Sequence, residues 1–305
     1  MSLGDLFRLL GPEIQDPEEE TFLLFSQEIP SQNLGFVDSQ ATTIDLTING
    51  RDYTIHQSPT ILNRPGSTTG AVIWKITPLV ASWLSSPNNL LWKTGALLPS
   101  SSVLELGCGI SGLVGLAVSP LVSRYVLTDQ TYVARLVEKN LEENLIVQQK
   151  SAKKRKGKPS GGADGGSTNP TKICFKPLDW ELDEVTPSLT GSSNTTSFDA
   201  VIACDCIYNE TLIAPLVQTC ADACGLRNRS SNNNNNEETQ DTATTPVLCI
   251  VAQQLRDPEI FEGWIKEFNK HFRVWRVPEE MLSQELRANT GFVVHIGVLR
   301  DAAAH

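Results

Sequence analysis

The residues that most clearly suggest chemistry in this sequence form a glycine-rich turn. Gly107-Cys108-Gly109-Ile110-Ser111-Gly112 matches the pattern G-x-G-x-x-G, with an apolar run before it and another after it. Asp129 stands 22 residues beyond Gly107, at the end of the next apolar run. Glycine lets the backbone approach a ligand closely, and an acid at the end of the second strand can accept hydrogen bonds from both ribose hydroxyls. The pattern indicates a nucleoside-containing cofactor but does not choose among such cofactors.

Three further features favour S-adenosylmethionine over a dinucleotide. Glu105 stands two residues before Gly107, where a carboxylate attracts the cationic end of S-adenosylmethionine and repels a pyrophosphate. No second unit of the same kind follows the turn. Leu178-Asp179-Trp180 offers a polar and an aromatic group for an adenine ring, and Cys204-Asp205-Cys206-Ile207-Tyr208 closes the fourth strand.

Apolar periodicity around these motifs predicts alternating strands and helices. We predict strands at 103–106, 125–127, 173–177, 200–203, 247–252, 272–277 and 292–299. We predict helices from near Pro78, at 113–118 and at 133–145, and further helices over 213–224 and 260–268. This order predicts a doubly wound, Rossmann-like α/β domain over residues 68–300.

The other segments are predicted to be accessory. We expect residues 1–40 to be a flexible acidic tail with one docked turn, and residues 41–67 to form a β-hairpin around Asn49-Gly50. Residues 150–170 and 229–245 are of low complexity, and we expect them to be insertions. The basic cluster at 153–158 fits a solvated loop or a nuclear-localisation signal.

Composition excludes several classes of protein. No apolar run is long enough to span a bilayer, and the acidic start is the wrong charge for a signal peptide. The seven cysteines have no zinc-site spacing and the four histidines form no pair, so we expect reduced thiols and no metal. The net charge of −10 disfavours nucleic acid and favours a cationic partner. We expect a monomer in the cytoplasm, with the nucleus as an alternative.

Taken together, the motifs resemble those of the family-16 class I (seven-β-strand) protein-lysine methyltransferases. The resemblance covers residues 68–300 and rests on motifs at 70–74, 105–109, 128–129, 178–180 and 205–208. Within the family, the motifs are most similar to fungal members that act on a large-subunit ribosomal protein. The resemblance implies a seven-stranded sheet and S-adenosyl-L-methionine as cofactor, bound by Trp74, Gly107, Cys108, Gly109, Asp129, Trp180 and Cys204. It also implies that Asp205 and Tyr208 line the entry for the lysine; Cys204 departs from the small residue that relatives often carry there.

Each of these residues also has a simpler structural interpretation. Trp74 alone would be a core aromatic, Asp129 and Asp205 could cap helices, and Trp180 could begin a loop packed on the sheet. For the substrate we expect a lysine of a basic ribosomal protein, with Asp205 orienting the amine. A lysine of a chaperone or ATPase, an RNA or small molecule, and a non-catalytic cofactor-binding module remain alternatives.

Overall fold

A seven-stranded sheet forms the centre of the protein, as shown by a computed structural model that describes residues 3–30, 35–62, 69–155, 172–192, 195–233 and 245–300. The strands are β3 (Ser102–Leu106), β4 (Arg124–Asp129), β5 (Ile173–Pro177), β6 (Ala200–Cys204), β7 (Leu248–Gln254), β8 (Phe272–Arg276) and β9 (Phe292–Leu299). Their order is β5-β4-β3-β6-β7-β9-β8. The first five are parallel, and β9 runs antiparallel to both β7 and β8. The predicted doubly wound sheet is confirmed.

Helices cover both faces of this sheet. One face carries α4 (Ile76–Ser85), α6 (Leu113–Val118) and α7 (Ala134–Arg155), and the other carries α8 (Ile213–Asn233) and α9 (Pro258–His271). Alternate strand residues supply the two cores: Val103 belongs to the first and Leu104 to the second. Because both faces are buried, β3 and β6 are continuous apolar runs apart from Ser102 and Glu105.

The amino-terminal region differs from the predicted flexible tail. It forms two helices, α1 (Leu3–Leu10) and α2 (Pro17–Phe25), and Leu6 and Leu24 are fully buried. Asp16 caps α2 by accepting hydrogen bonds from the N–H groups of Glu18 and Glu19. The expectation is wrong for this stretch because exposed acidic residues such as Glu18 and Glu19 share their helix with apolar residues that reach the core, and Glu20 is itself buried. The predicted domain boundaries stay a prediction.

The predicted hairpin is present and is anchored to a helix. It consists of β1 (Thr43–Ile48) and β2 (Arg51–His56), joined at Asn49-Gly50, where φ is 48° and 76°. Two positive φ values are the requirement of a type I′ turn. Asn140 and Asn144 of α7 bind the hairpin backbone at His56 and Thr54. The short helix α3 (Pro59–Leu62) follows, and α5 (Leu90–Lys93) precedes β3.

Two helices extend past the predicted starts of the insertions. The helix α7 ends at Arg155 and α8 at Asn233, so both run beyond residues 150 and 229, because helical backbone does not require the apolar pattern used to predict it. Residues 156–170 of the first predicted insertion and 234–244 of the second lie outside the described residues. Across the described helices, none combines the length and apolar character needed to cross a membrane. None of the seven cysteines is in a disulfide.

Candidate active site

The glycine turn lies at the carboxyl end of the central strand β3. Gly107 and Gly109 have φ of 68° and 59°, a region that side chains rarely adopt. A Cβ on Gly107 would lie 2.6 Å from the Cys206 sulfur, and one on Gly109 would lie 3.1 Å from the carbonyl oxygen of Gly70. That carbonyl accepts the N–H of Ile110 at 2.8 Å. The segment at Gly70 is therefore held directly against the turn, and both contacts require glycine.

Asp129 fastens the turn to the neighbouring strand β4. Its Oδ2 accepts a hydrogen bond from the N–H of Gly109 at 2.8 Å, and its Oδ1 accepts one from Gln130 at 2.7 Å. Burial raises the pKa of Asp129 to about 6, and the two backbone hydrogen bonds only partly oppose this rise. A cation placed beside this carboxylate would favour its ionised form.

Glu105 is a second buried carboxyl group on the floor of the same region. It is 2% exposed, and its Oε2 accepts a hydrogen bond from the Tyr125 hydroxyl at 2.7 Å. Burial raises the pKa of Glu105 to about 7, the Tyr125 hydrogen bond opposes the rise and the charge of Asp129 adds to it. The region is thus acidic, and part of its negative charge is suppressed by desolvation.

All ten residues singled out from the sequence line one cavity. It encloses about 830 Å³, part of it open to solvent, which is within the usual size of ligand sites. The ten are Trp74, Glu105, Gly107, Cys108, Gly109, Asp129, Trp180, Cys204, Asp205 and Tyr208. The cavity lies at the carboxyl ends of β3, β4 and β6, where the strand order reverses; such a switch point is the expected ligand position in a doubly wound sheet.

Three cysteine side chains line the cavity as neutral groups. Burial raises the pKa of Cys108, Cys204 and Cys206 well above its ordinary value, and nearby carboxylates add to the rise. The thiolate is the nucleophilic and metal-binding form of cysteine, and these thiols stay protonated at neutral pH. In the described part of the chain, no cluster of three His, Cys, Asp or Glu side chains could hold a metal ion.

Asp205 is engaged by an arginine that sequence reasoning missed. The Arg256 guanidinium makes a two-pronged ion pair with it, at 2.7 Å from Nη1 to Oδ1 and 2.6 Å from Nη2 to Oδ2. The Asp205 side chain is 1% exposed and also accepts the N–H of Gln254 at 3.2 Å. Asp205 has φ of 60°, which Asp tolerates better than most residues. Arg256 lies 51 residues from Asp205 along the chain, just after β7, and no local sequence pattern predicts the contact.

Trp74 joins this ion pair to the amino-terminal region. The Arg256 guanidinium carbon lies 5.0 Å from the centre of the Trp74 ring, within cation–π range. Phe36 also packs against Trp74, with 4.5 Å between the ring centres, and the backbones of the two residues form an antiparallel bridge. The Trp74 indole N–H donates to the carbonyl of Thr69 at 3.1 Å. Trp74 is half-buried between cavity and core.

The mouth of the cavity carries aromatic and acidic groups. Thr69 donates its hydroxyl to the Tyr208 hydroxyl at 2.8 Å, and Tyr208 is 36% exposed. Asp179 and Glu181 line the cavity near its edge, and Glu181 is exposed. The buried Trp180 Nε1 has no hydrogen-bond partner among the described residues. A ligand acceptor in the cavity would satisfy that donor.

The fold and this site define the chain as an α/β protein with a nucleoside-cofactor cavity at the end of its central strands. Residues 56–156 and 164–233 match the family model described as lysine methyltransferase. The chain belongs to the lysine methyltransferase family, as its motifs led us to expect.

Relatives outside and inside the predicted subgroup are similar to this chain. A diaminohydroxyphosphoribosylamino-pyrimidine deaminase of Schizosaccharomyces pombe is 28% identical over 272 residues, covering 89% of this chain and 55% of that protein. Ribosomal lysine N-methyltransferase 5 of Zygosaccharomyces rouxii is 33% identical over 188 residues, covering 55% of this chain and 59% of that protein. The same-named protein of Vanderwaltozyma polyspora is 27% identical, covering 66% of this chain and 76% of its own length. The chain thus spans little more than half the length of the first two.

Solved structures also match part of this chain. One is the Pyrococcus abyssi tRNA (uracil-54, C5)-methyltransferase in complex with S-adenosyl-L-homocysteine, which is 14% identical with a TM-score of 0.39. The match covers 85% of this chain and 45% of that one.

Proposed function

We propose that this chain binds S-adenosyl-L-methionine in the cavity and transfers its methyl group to a lysine of a protein. The observation that carries the proposal is the joining of Asp129 to the glycine turn above the buried Glu105, in a chain of the lysine methyltransferase family. Neither carboxyl group has a cationic side chain among the groups that set its pKa. The cavity is therefore suited to a ligand that brings its own positive charge.

The residues present fit this cofactor. Asp129 can accept hydrogen bonds from ribose hydroxyls with the lone pairs its two backbone contacts leave free. Trp180 offers a ring face and an unpartnered N–H, and the protonated Cys108 and Cys204 thiols offer an apolar lining. Glu105 places negative charge at the base of the cavity, opposite to the requirement of a pyrophosphate. When bound, the cofactor supplies an activated methyl group on a sulfonium.

The chain's own residues must align a neutral amine at the mouth. A lysine ammonium with a pKa near ~10.4 loses its proton at pH 7 at a cost of about 4–5 kcal/mol. Tyr208 and Trp74 supply aromatic walls that desolvate the side chain, which lowers the pKa of the entering lysine. Transfer then needs in-line alignment more than a strong base.

Asp205 acts in this proposal as a positioning residue. Both of its oxygens bind Arg256, so the pair presents little net negative charge to an entering ammonium. The pair instead fixes the backbone that leads to Tyr208. This differs from an Asp205 carboxylate that holds the amine directly, and it suits the reaction better because a free carboxylate would stabilise the ammonium form.

For the substrate we propose a lysine on a basic large-subunit ribosomal protein. Two observations support it: the relatives named ribosomal lysine N-methyltransferase 5, and the acidic residues Asp179 and Glu181 at the mouth in a chain of net charge −10. The deaminase named among the relatives is matched over 55% of its length, and the match does not show which part of that protein carries the activity in its name.

The test separates cofactor, reaction and substrate. Calorimetry on the purified chain measures S-adenosylmethionine binding. Methyl transfer is measured with tritiated cofactor and large ribosomal subunits purified from yeast cells that lack ribosomal lysine N-methyltransferase 5. We expect one ribosomal protein to gain about 14 Da per methyl group on a lysine. Binding without transfer to any protein would overturn the enzyme assignment, and labelling of a chaperone or ATPase instead would overturn the ribosomal one.

A further inference from the structure

A second, smaller cavity adjoins the candidate active site and shares Tyr208 with it. Its volume is about 410 Å³, part of it open to solvent, and it lies between the loop after β6, the end of β7 and the start of α9. Its lining consists of Ile207, Tyr208, Gln253, Gln254, Arg256, Asp257, Ile260 and Phe261. Tyr208 lines both cavities, so the second cavity lies next to the proposed lysine entry and shares this side chain as a wall.

Gln253 gives the second cavity an unused hydrogen-bond donor. Its side chain is on β7, the residue is 2% exposed, and its Nε2 has no hydrogen-bond partner among the described residues. A buried donor without an acceptor is unfavourable, so such groups in native proteins are nearly always paired. The cavity that Gln253 lines is where an acceptor can reach it.

Two charged residues around this cavity are already engaged. Arg256 binds both oxygens of Asp205 and also donates to Gln254 Oε1 at 2.9 Å. Asp257 caps α9 by accepting the N–H groups of Glu259 and Ile260.

The remaining lining is Ile207, Ile260 and Phe261, and these side chains are apolar. Together with the Gln253 donor, they fit an apolar side chain whose main-chain carbonyl accepts the Gln253 N–H.

The spacing across Tyr208 matches that of an extended peptide. Two side chains packed on opposite faces of an aromatic ring are separated by two van der Waals contacts, about 7 Å. Residues i and i+2 of a strand point to the same side and lie about 6.6–6.8 Å apart. A peptide that places its lysine on one face of Tyr208 therefore places a residue two positions away on the other.

We propose that this cavity is a specificity site that takes an apolar side chain two residues from the methylated lysine, with Gln253 donating to the main chain of the substrate. The inference rests on the proposed function. It implies that sequence around the lysine, and not charge alone, selects the target.

A library of lysine-centred peptides, randomised two positions before and after the lysine, tests this with tritiated S-adenosylmethionine. We expect the wild-type chain to prefer Leu, Ile, Met or Val over Asp and Lys at one of the two positions. Gln253→Leu removes the donor and should raise the KM for a preferred peptide about tenfold, with little change in kcat or cofactor affinity. Ile260→Trp fills the cavity and should abolish the preference.

Two matched controls make the same chemical changes elsewhere. Gln218→Leu alters an exposed glutamine of α8, and Ile146→Trp alters an exposed isoleucine of α7. Both should keep the wild-type preference and KM. Thermal unfolding of all four variants identifies any that fail to fold.

The outcomes separate this inference from the function beneath it. A wild-type chain that methylates peptides without preference at either position overturns the specificity site alone, and so does a Gln253→Leu variant indistinguishable from Gln218→Leu. If only a folded protein is labelled and no peptide is, mass spectrometry identifies the methylated lysine. Charged residues both two positions before and two positions after that lysine would overturn the inference, and an apolar residue at either position would support it. A chain that labels no lysine in any probe overturns the proposed function, and this inference with it.

Discussion

Replacing Arg256 by methionine should destabilise the protein far more than breaking an ordinary surface ion pair. The variant leaves the Asp205 carboxylate, 1% exposed, with one hydrogen bond from Gln254. Removing one partner of a buried pair costs about 3–5 kcal/mol. Arg256 is itself 24% exposed, which puts the expected loss near the lower end, about 3 kcal/mol including the lost Trp74 contact. At about 2 °C per kcal/mol for a large domain, the melting temperature should fall by about 6 °C.

The assay is a double-mutant cycle with a matched surface control. Asp205→Asn keeps the side-chain shape, and asparagine tolerates the positive φ. The double variant Arg256→Met with Asp205→Asn should therefore have a free energy of unfolding at least about 1.5 kcal/mol higher than Arg256→Met alone. Arg229→Met breaks a pair in which Arg229 is 61% exposed and should cost less than about 1 kcal/mol. Urea unfolding of each variant measures these values. If Arg256→Met costs no more than Arg229→Met, the assignment of Asp205 to a buried positioning pair is refuted.

Three further predictions concern the cofactor cavity and the amino-terminal helices. Asp129→Ala should weaken S-adenosylmethionine binding by about 1.5–3 kcal/mol in calorimetry, whereas Asp52→Ala, at an exposed position of β2, should not; equal affinities would remove Asp129 from the site. The pKa of Asp129 is raised to about 6 and that of Glu105 to about 7, so the free folded protein holds protons that the unfolded chain releases near pH 4. The stability of the folded protein should therefore fall as pH rises from about 4 to 7. Affinity for the cationic cofactor should rise over that range and up to about pH 8, and an affinity independent of pH would contradict the carboxylate assignment. Burial opposes ionisation of Glu20, but its hydrogen bond to His295 and nearby positive charge lower its pKa. Glu20→Ala should therefore destabilise the protein above about pH 4.3, and the difference in stability from wild type should vanish in acid. Equal melting curves for the two proteins at pH 7 would show that the Glu20–His295 pair contributes nothing to stability.

Local patterns predicted the sheet and the residues around the cavity because both depend on short stretches of sequence. The glycine turn needs Gly107 and Gly109 for close contacts with neighbours, and Asp129 follows a buried strand that any apolar run would predict. Parallel strands end at one edge, so residues after β3, β4 and β6 had to meet there. The match to the lysine methyltransferase family, over residues 56–156 and 164–233, covers this same region.

Long-range partners could not be predicted in this way. Arg256 reaches Asp205 only because β6 and β7 are neighbours in the sheet. The burial of Gln253, whose Nε2 has no hydrogen-bond partner among the described residues, likewise depends on elements distant in sequence. The acidic helix α2 looked like a tail because Glu20, which pairs with buried His295 at 2.9 Å, is indistinguishable in sequence from the exposed Glu18 and Glu19. Which charges are buried depends on the packing of distant elements, which the pattern of one segment does not contain.

The distribution of charge around the cavity reconciles two opposite demands on a lysine methyltransferase. Attraction of a cationic partner requires negative charge, whereas the reacting amine must be neutral. Here Asp179 and Glu181 line the cavity with Glu181 exposed to solvent, Glu105 is buried, and Asp205 is paired with Arg256. In the proposed reaction, negative charge would be available where a substrate first approaches and where the cofactor binds, and it would be suppressed where the amine must lose its proton. Arg256 would then contribute to that reaction without contacting the methyl group, because it would keep a carboxylate from holding the lysine in its protonated form.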